Sequence, residues 1–240
     1  MNAALAKVKK LFKLFHQGKI PTLAQHEVHP DLPKGSRETY LYFTLPACIN
    51  FQRNSPAMWR SALVTWNDSK TRYLFFPEKV VKTSYKKVQA DLLKHKLSLQ
   101  LNKHTHIWTT ICATLNQFFD NDPRQLLKTG GSDAVGIIKL VQQDKREYFT
   151  HLRGPKMTNY WLYILSQYTD MKLSNMQEIS IIPDTHVLQC SIRLGISTKT
   201  MSAIQVAQKW KELLGKGSLT PVQMPPVLWN WSRNNFIPEV

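Results

Sequence analysis

The sequence predicts an all-α protein, and three observations carry that prediction. Apolar residues recur at helical spacing through the longer segments, as at positions 107, 108, 111, 115, 118 and 119. No segment sustains the alternation of apolar and polar residues, bounded by hairpin turns, that strands require. No internal repeat of roughly 20 to 50 residues is visible, so helices of ordinary length form a globular array rather than a solenoid or a long coiled coil.

The elements follow in chain order. Residues 1–26 hold no acid, and Lys7, Lys9, Lys10, Lys13 and Lys19 are interleaved with Leu5, Val8, Leu11, Phe12 and Phe15. That spacing predicts a helix with one apolar and one basic face, suited to docking on the protein body, a phosphate backbone or a membrane surface. With no arginine and no serine, it makes a poor transit peptide. Pro21, Pro30, Pro33 and Gly35 mark an extended connection over residues 18–38, and the body starts with the apolar segment 40–51. Asn67-Asp68-Ser69 is a turn. Lysines at 79, 82, 86, 87, 94, 96 and 103 among Val80, Val81, Tyr85, Val88, Leu92 and Leu93 predict amphipathic helices with solvated lysines. A buried helix over 107–119 ends at residues 120–123, and Ser132 and Asp133 cap a helix running through Ile137, Ile138 and Val141.

Composition narrows the partners. The 240 residues carry 32 Lys plus Arg against 16 Asp plus Glu, a formal charge of +16, and 42% are hydrophobic, enough to bury a core in one large domain or two lobes. No apolar stretch approaches the roughly 20 residues of a membrane span, which predicts a soluble protein. Cys48, Cys112 and Cys190 lie far apart. They exclude a four-cysteine zinc or iron–sulfur site and fit a reducing, intracellular setting without a disulfide framework. Excess positive charge attracts polyanions, nucleic acid first among them. Seven tryptophans offer faces for unpaired bases or simply fill the core.

Several motifs fail on spacing. His26-Glu27-Val28-His29 lacks the four-residue separation that places two zinc ligands on one helical face. His104 and His106 have no further ligands nearby, and all four read as surface or capping histidines. Gly215-Lys216-Gly217-Ser218 lacks the first glycine of a phosphate loop and reads as a helix end. No metal site, nucleophile elbow or dinucleotide fingerprint is found.

Residues 152–195 carry the chemistry. Gly154-Pro155 starts a helix whose buried stripe is Met157, Tyr160, Trp161, Ile164, Leu165 and Tyr168, with Lys156 in its first turn. Asp184 follows Pro183, precedes Thr185-His186-Val187 and is an N-cap, and Gly195 ends that helix. A turn with glycine exposes backbone N–H groups to a DNA phosphate, and a lysine just beyond it can be a nucleophile if its amine is neutral. An N-cap carboxylate supplies a fixed negative charge. Taken singly, an isolated Lys and an isolated Asp read more simply as a solvated side chain and a cap.

Together, Gly154-Pro155-Lys156 and Ile182-Pro183-Asp184-Thr185-His186-Val187 resemble the helix-hairpin-helix DNA glycosylases. That family has a glycine-containing hairpin and a lysine followed by Pro-x-Asp-x-(His or Arg)-Val; here the proline stands one residue nearer the aspartate. The interval of 28 residues from Lys156 to Asp184 is similar to that of the archaeal glycosylases that remove 8-oxoguanine. Residues 45–59, LPACINFQRNSPAMW, resemble that group's early helix, whose glutamine enters the base pocket, with Gln52 in place. Residues 221–231, PVQMPPVLWNW, resemble the segment supplying the aromatic that stacks on the extruded base, with Trp229 in place. An aspartate of the archaeal enzymes is replaced by Pro225, which leaves the recognised base open. Gln52 and Trp229 read equally as a core amide and a core tryptophan.

The resemblance implies a base-excision glycosylase with abasic-site lyase activity on double-stranded damaged DNA. Lys156 and Asp184 would be catalytic, Gln52 and Trp229 would hold the base, and Leu152 and Gly154 of the hairpin would contact the DNA backbone. No cofactor is required, a hairpin-bound monovalent cation is compatible with the family, and the protein would act as a monomer. The implied fold has two helical lobes with a cleft between them: residues 1–39 as a basic helix and linker, 40–56 with 152–240 as the hairpin lobe, and 57–151 as the other. Two alternatives stay open, a glycosylase for another base such as an alkylated one, and a non-catalytic DNA-binding module.

Overall fold

The computed structural model describes residues 2–22, 27–215 and 217–240. Among them the chain forms twelve α-helices and no β-strand, so the all-α expectation holds. The helices are α1 (Asn2–His16), α2 (Arg37–Cys48), α3 (Ser55–Asn67), α4 (Pro77–Val80), α5 (Tyr85–Lys94), α6 (Leu101–Phe118), α7 (Pro123–Thr129), α8 (Ala134–Lys139), α9 (Pro155–Tyr168), α10 (Thr185–Arg193), α11 (Ala203–Leu214) and α12 (Pro225–Arg233). The expectations for His26 and Lys216 lie outside the described residues. No helix among the described residues is long and apolar enough to cross a membrane.

Contacts divide the chain into two compact units, one of residues 25–174 and one that joins residues 1–24 to 175–240. In the larger unit α2 is the axis. Ser36 caps it by accepting from the Thr39 N–H at 3.2 Å. Every residue from 39 to 49 is buried, the pattern of a helix that is apolar on all sides because neighbours surround it. α9 packs along it: the Trp161 indole donates to Thr44 Oγ1 at 3.0 Å, and Tyr168 stacks on Phe43 with ring centroids 4.7 Å apart. Tyr42, Trp59, Trp66 and Phe75 build an aromatic cluster on the other side of α2.

α6 begins six residues before the stripe that predicted it, and its end is set by Asp120 and Asn121, both at positive φ, before Asp122 caps α7. Asp133 caps α8 as expected, its Oδ2 accepting from the Gly136 N–H at 2.9 Å. The expected single helix through Val141 instead changes register. Residues Leu140–Asp144 form a π-helical turn, with the Lys145 N–H bonded to the Leu140 carbonyl at 2.9 Å, and Arg146–Tyr148 form a 3₁₀ turn.

In the smaller unit α1 lays Val8 and Leu11, both fully buried, into a core with Ile20, Val187, Trp210, Leu228 and Trp231. The apolar face of the N-terminal helix therefore belongs to the body of its own unit. Six of the seven tryptophans are buried, so most of the indole content fills core. All three cysteines are buried and free.

Two sequence expectations need correction. Residues 45–59 do not form one helix: α2 stops at Cys48, α3 starts at Ser55 and Gln52 sits in the connection. His104 is not at the surface but 1% exposed on the buried stripe of α6, and of the two expected roles it takes the capping one, its Nδ1 accepting at 3.2 Å from the Leu99 N–H just ahead of that helix. His29 and His106 are exposed as expected.

Candidate functional site

Local sequence signals set the start of α9. Gly154 is its N-cap and Pro155 its first residue, where a missing N–H costs nothing. Gly154 has φ −68°, and a Cβ there would meet only the His151 carbonyl at an ordinary 3.5 Å. The backbone does not demand glycine at this place, and a side chain there would make only an ordinary contact.

One hydroxyl holds the hairpin to the helix. Thr158 is fully buried, and its Oγ1 donates to the Leu152 carbonyl at 2.6 Å and accepts from Gln142 Nε2 at 3.0 Å. That ties the π-helical turn, the hairpin and α9 together. Within the hairpin, the Arg153 N–H bonds the Phe149 carbonyl and the Gly154 N–H bonds the His151 carbonyl.

The hairpin borders an open depression of about 570 Å³, lined by Gln142, Arg146, His151, Arg153, Gly154 and Lys156 among others. Its charge is positive. Lys156 is exposed, and within its unit no ion-pair partner is found for it among the described residues. Arg153 reaches back to the Arg146 carbonyl at 3.4 Å. His151 is half-buried, its ring centroid 3.8 Å from that of Phe51, and burial followed by repulsion from Lys103 lowers its pKa. This contact places the α2–α3 connection, with Gln52 exposed at φ +50°, beside the hairpin. The expected hairpin residues Leu152 and Gly154, the lysine Lys156 and the base-pocket candidate Gln52 thus share one unit. Gln52 is not a core amide.

Asp184 and Trp229 belong to the smaller unit. Asp184 caps α10, with Oδ1 accepting from the Val187 N–H at 2.9 Å, as the sequence predicts. Gly195, at φ +74°, closes that helix. Trp229 lies on α12, partly buried against the core of the unit, and Pro225 is the buried first residue of that helix. The two helices are pinned to each other by a hydrogen bond between His186 Nδ1 and Ser232 Oγ at 3.0 Å, and by Cys190 Sγ, which donates to the Leu228 carbonyl at 3.4 Å. Burial, reinforced by the Asp184 charge, pushes the Cys190 thiol up to about 12, so it stays protonated at neutral pH and is no nucleophile.

Sequence reasoning missed Gln142, Thr158, Phe51 and His151. Only Thr158 left a signal, a hydroxyl residue four positions past the turn glycine. The Phe149, His151 and Leu152 carbonyls of the hairpin each accept a hydrogen bond, and Arg146, Arg153 and Lys156 line the adjoining depression. No group of three or more His, Cys, Asp or Glu side chains able to hold a metal occurs among the described residues. Comparison with protein-family models gives no match, and comparison with curated proteins gives none.

Proposed function

We propose that the protein is a base-excision DNA glycosylase with abasic-site lyase activity, acting as a monomer on double-stranded DNA that carries 8-oxoguanine. The observation that carries the reading is the exposed Lys156 amine in the first turn after the hairpin, beside Arg146 and Arg153 and with no ion-pair partner among the described residues of its unit. Phosphates held at the hairpin by the two arginines would bring a sugar to that amine. The target nucleotide flips out at a cost of a few kcal/mol, because a stacked base hides its glycosidic bond.

In this reading Lys156 attacks C1′ as the neutral amine, and the electron pair of the N-glycosidic bond leaves with the base. The Asp184 carboxylate stabilises positive charge growing on the sugar and takes the proton from the amine. Opening of the sugar ring gives an iminium that acidifies the C2′ proton. Loss of that proton expels the 3′ phosphate by β-elimination. Gln52 and Trp229 are assigned to the base. No step needs a metal, a hairpin cation or an organic cofactor.

A second reading is favoured by one observation. Lys156 is exposed rather than desolvated, and a module that only holds phosphates through amides and surface charge needs nothing more. Borohydride trapping separates the two. Wild-type protein should be trapped covalently on duplex DNA bearing one 8-oxoguanine and not on an undamaged duplex, and Lys156→Gln should abolish trapping. Trapping on an abasic duplex alone keeps the lyase and moves the assignment to another damaged base, including alkylated ones. Tight, salt-sensitive binding without trapping on either makes the protein a binding module.

A further inference from the structure

The outward face of α1 has no part in the fold that explains its composition. Docking of the helix uses Val8 and Leu11, with Leu5, Phe12, Leu14 and Phe15 packed more loosely against the same core. Any polar residues would serve on the opposite side, yet Lys9, Lys10 and Lys13 occupy it, all exposed, with exposed Lys19 just beyond the helix end. Lys9 and Lys13 are four apart and Lys10 and Lys13 three apart, so like charges stand as neighbours on one helical surface and repel. The helix dipole rewards only the last turn, where Lys13 and His16 lie. Among the described residues none of these lysines is in an ion pair, and the hydrogen bond found for them runs from Lys10 Nζ to the Glu239 carbonyl at 3.5 Å. Among the described residues no acidic side chain pairs with these lysines, and an external polyanion would relieve their repulsion.

The structure also selects among polyanions. An amphipathic helix on a membrane buries its apolar face among the lipid chains. In α1 that face is committed to the core, with Val8 and Leu11 fully buried, so only the cations remain to be used. A nucleic-acid backbone asks for no more than that, since phosphate contacts are made by lysines without reference to sequence.

We propose that Lys9, Lys10 and Lys13 form a phosphate-backbone contact for nucleic acid, separate from the hairpin. In choosing double-stranded DNA as the nucleic acid, the inference rests on the glycosylase reading.

The test is fluorescence anisotropy on an undamaged duplex across a salt series, with wild type and the triple variant Lys9→Ala, Lys10→Ala, Lys13→Ala. Each lost phosphate contact lowers the slope of log K against log salt by about 0.9, so the triple variant should show a slope shallower by about 2 to 3 and a binding loss of tenfold or more at low salt. Replacing the same three lysines by arginine should preserve the slope. The residues are exposed, and an unchanged thermal midpoint shows that the fold survives substitution. An unchanged slope overturns the inference, as does a loss of binding to phosphatidylserine vesicles with the DNA slope unaltered, which would assign the face to a lipid surface. Wild-type trapping on the 8-oxoguanine duplex reads the other proposal independently. A shallower slope without trapping retains this contact and removes the enzyme, whereas trapping with an unchanged slope does the reverse.

Discussion

His104 shows how one buried side chain couples the fold to pH. Burial disfavours its imidazolium, and Arg53, Lys103 and His151 add repulsion, so its pKa falls from the ordinary 6.5 to about 4. A histidine whose folded value lies below its unfolded value binds fewer protons when native. Stability therefore rises with pH between about 4 and 6.5 and is lost as pH falls through that window. Denaturant unfolding at pH 7 and at pH 4.5 should differ for the wild type by about 2 kcal/mol from this group. His104→Gln, which keeps an acceptor for the Leu99 N–H, should remove that part of the difference. A variant whose pH dependence matches the wild type would show that other groups carry it. His104 stands three and four residues before Ile107 and Trp108 and so continues the buried stripe of α6, whereas His106, two positions on, falls on the opposite, exposed side.

At the scale of the element, the parts legible in the sequence were those written in local chemistry. Pro155 at the first turn of α9, Asp184 and Asp133 as caps, Gly195 as a stop and the long apolar stripes of α1, α6 and α9 all act within a few residues of themselves. The Gln142–Thr158 bond and the packing of Phe51 on His151 join segments apart in sequence, which no local pattern encodes, and the π-helical turn after α8 left no signal in the apolar spacing. The site follows the same rule: Lys156 and Asp184 stand in their expected first turn and cap, while Gln52 falls in a break between helices that was read as one. The cap on α10 allows structure and chemistry to be separated. Asp184→Asn keeps a side-chain oxygen for the Val187 N–H and should cost only a few tenths of a kcal/mol, whereas Asp184→Ala should cost about 1 kcal/mol. If Asp184 acts on the sugar, Asn abolishes base release despite its stability, because the negative charge is gone. Activity that follows thermal stability across both variants would leave Asp184 as a cap alone.

On the scale of the whole molecule, the family resemblance implies boundaries at 39/40, 56/57 and 151/152, and the contact units divide at 24/25 and 174/175. Charge and proline content mark linkers, but they do not reveal which distant segments share a core. The smaller unit takes both chain ends, so Val8, Leu11 and Ile20 pack with Trp210, Leu228 and Trp231. Each of the three fully buried aliphatic side chains contributes about 1.5–3 kcal/mol, and their sum rivals the 5–15 kcal/mol by which a typical domain is stable. Deleting residues 1–20 should therefore unfold the smaller unit while α2 and α6, buried within the larger one, keep their structure. Amide hydrogen exchange reads this residue by residue: protection should collapse in α10, α11 and α12 and persist over residues 39–49. Retained protection in α12 would mean that α1 is an appended helix, and that its apolar stripe does not hold the core on which Asp184 and Trp229 are mounted.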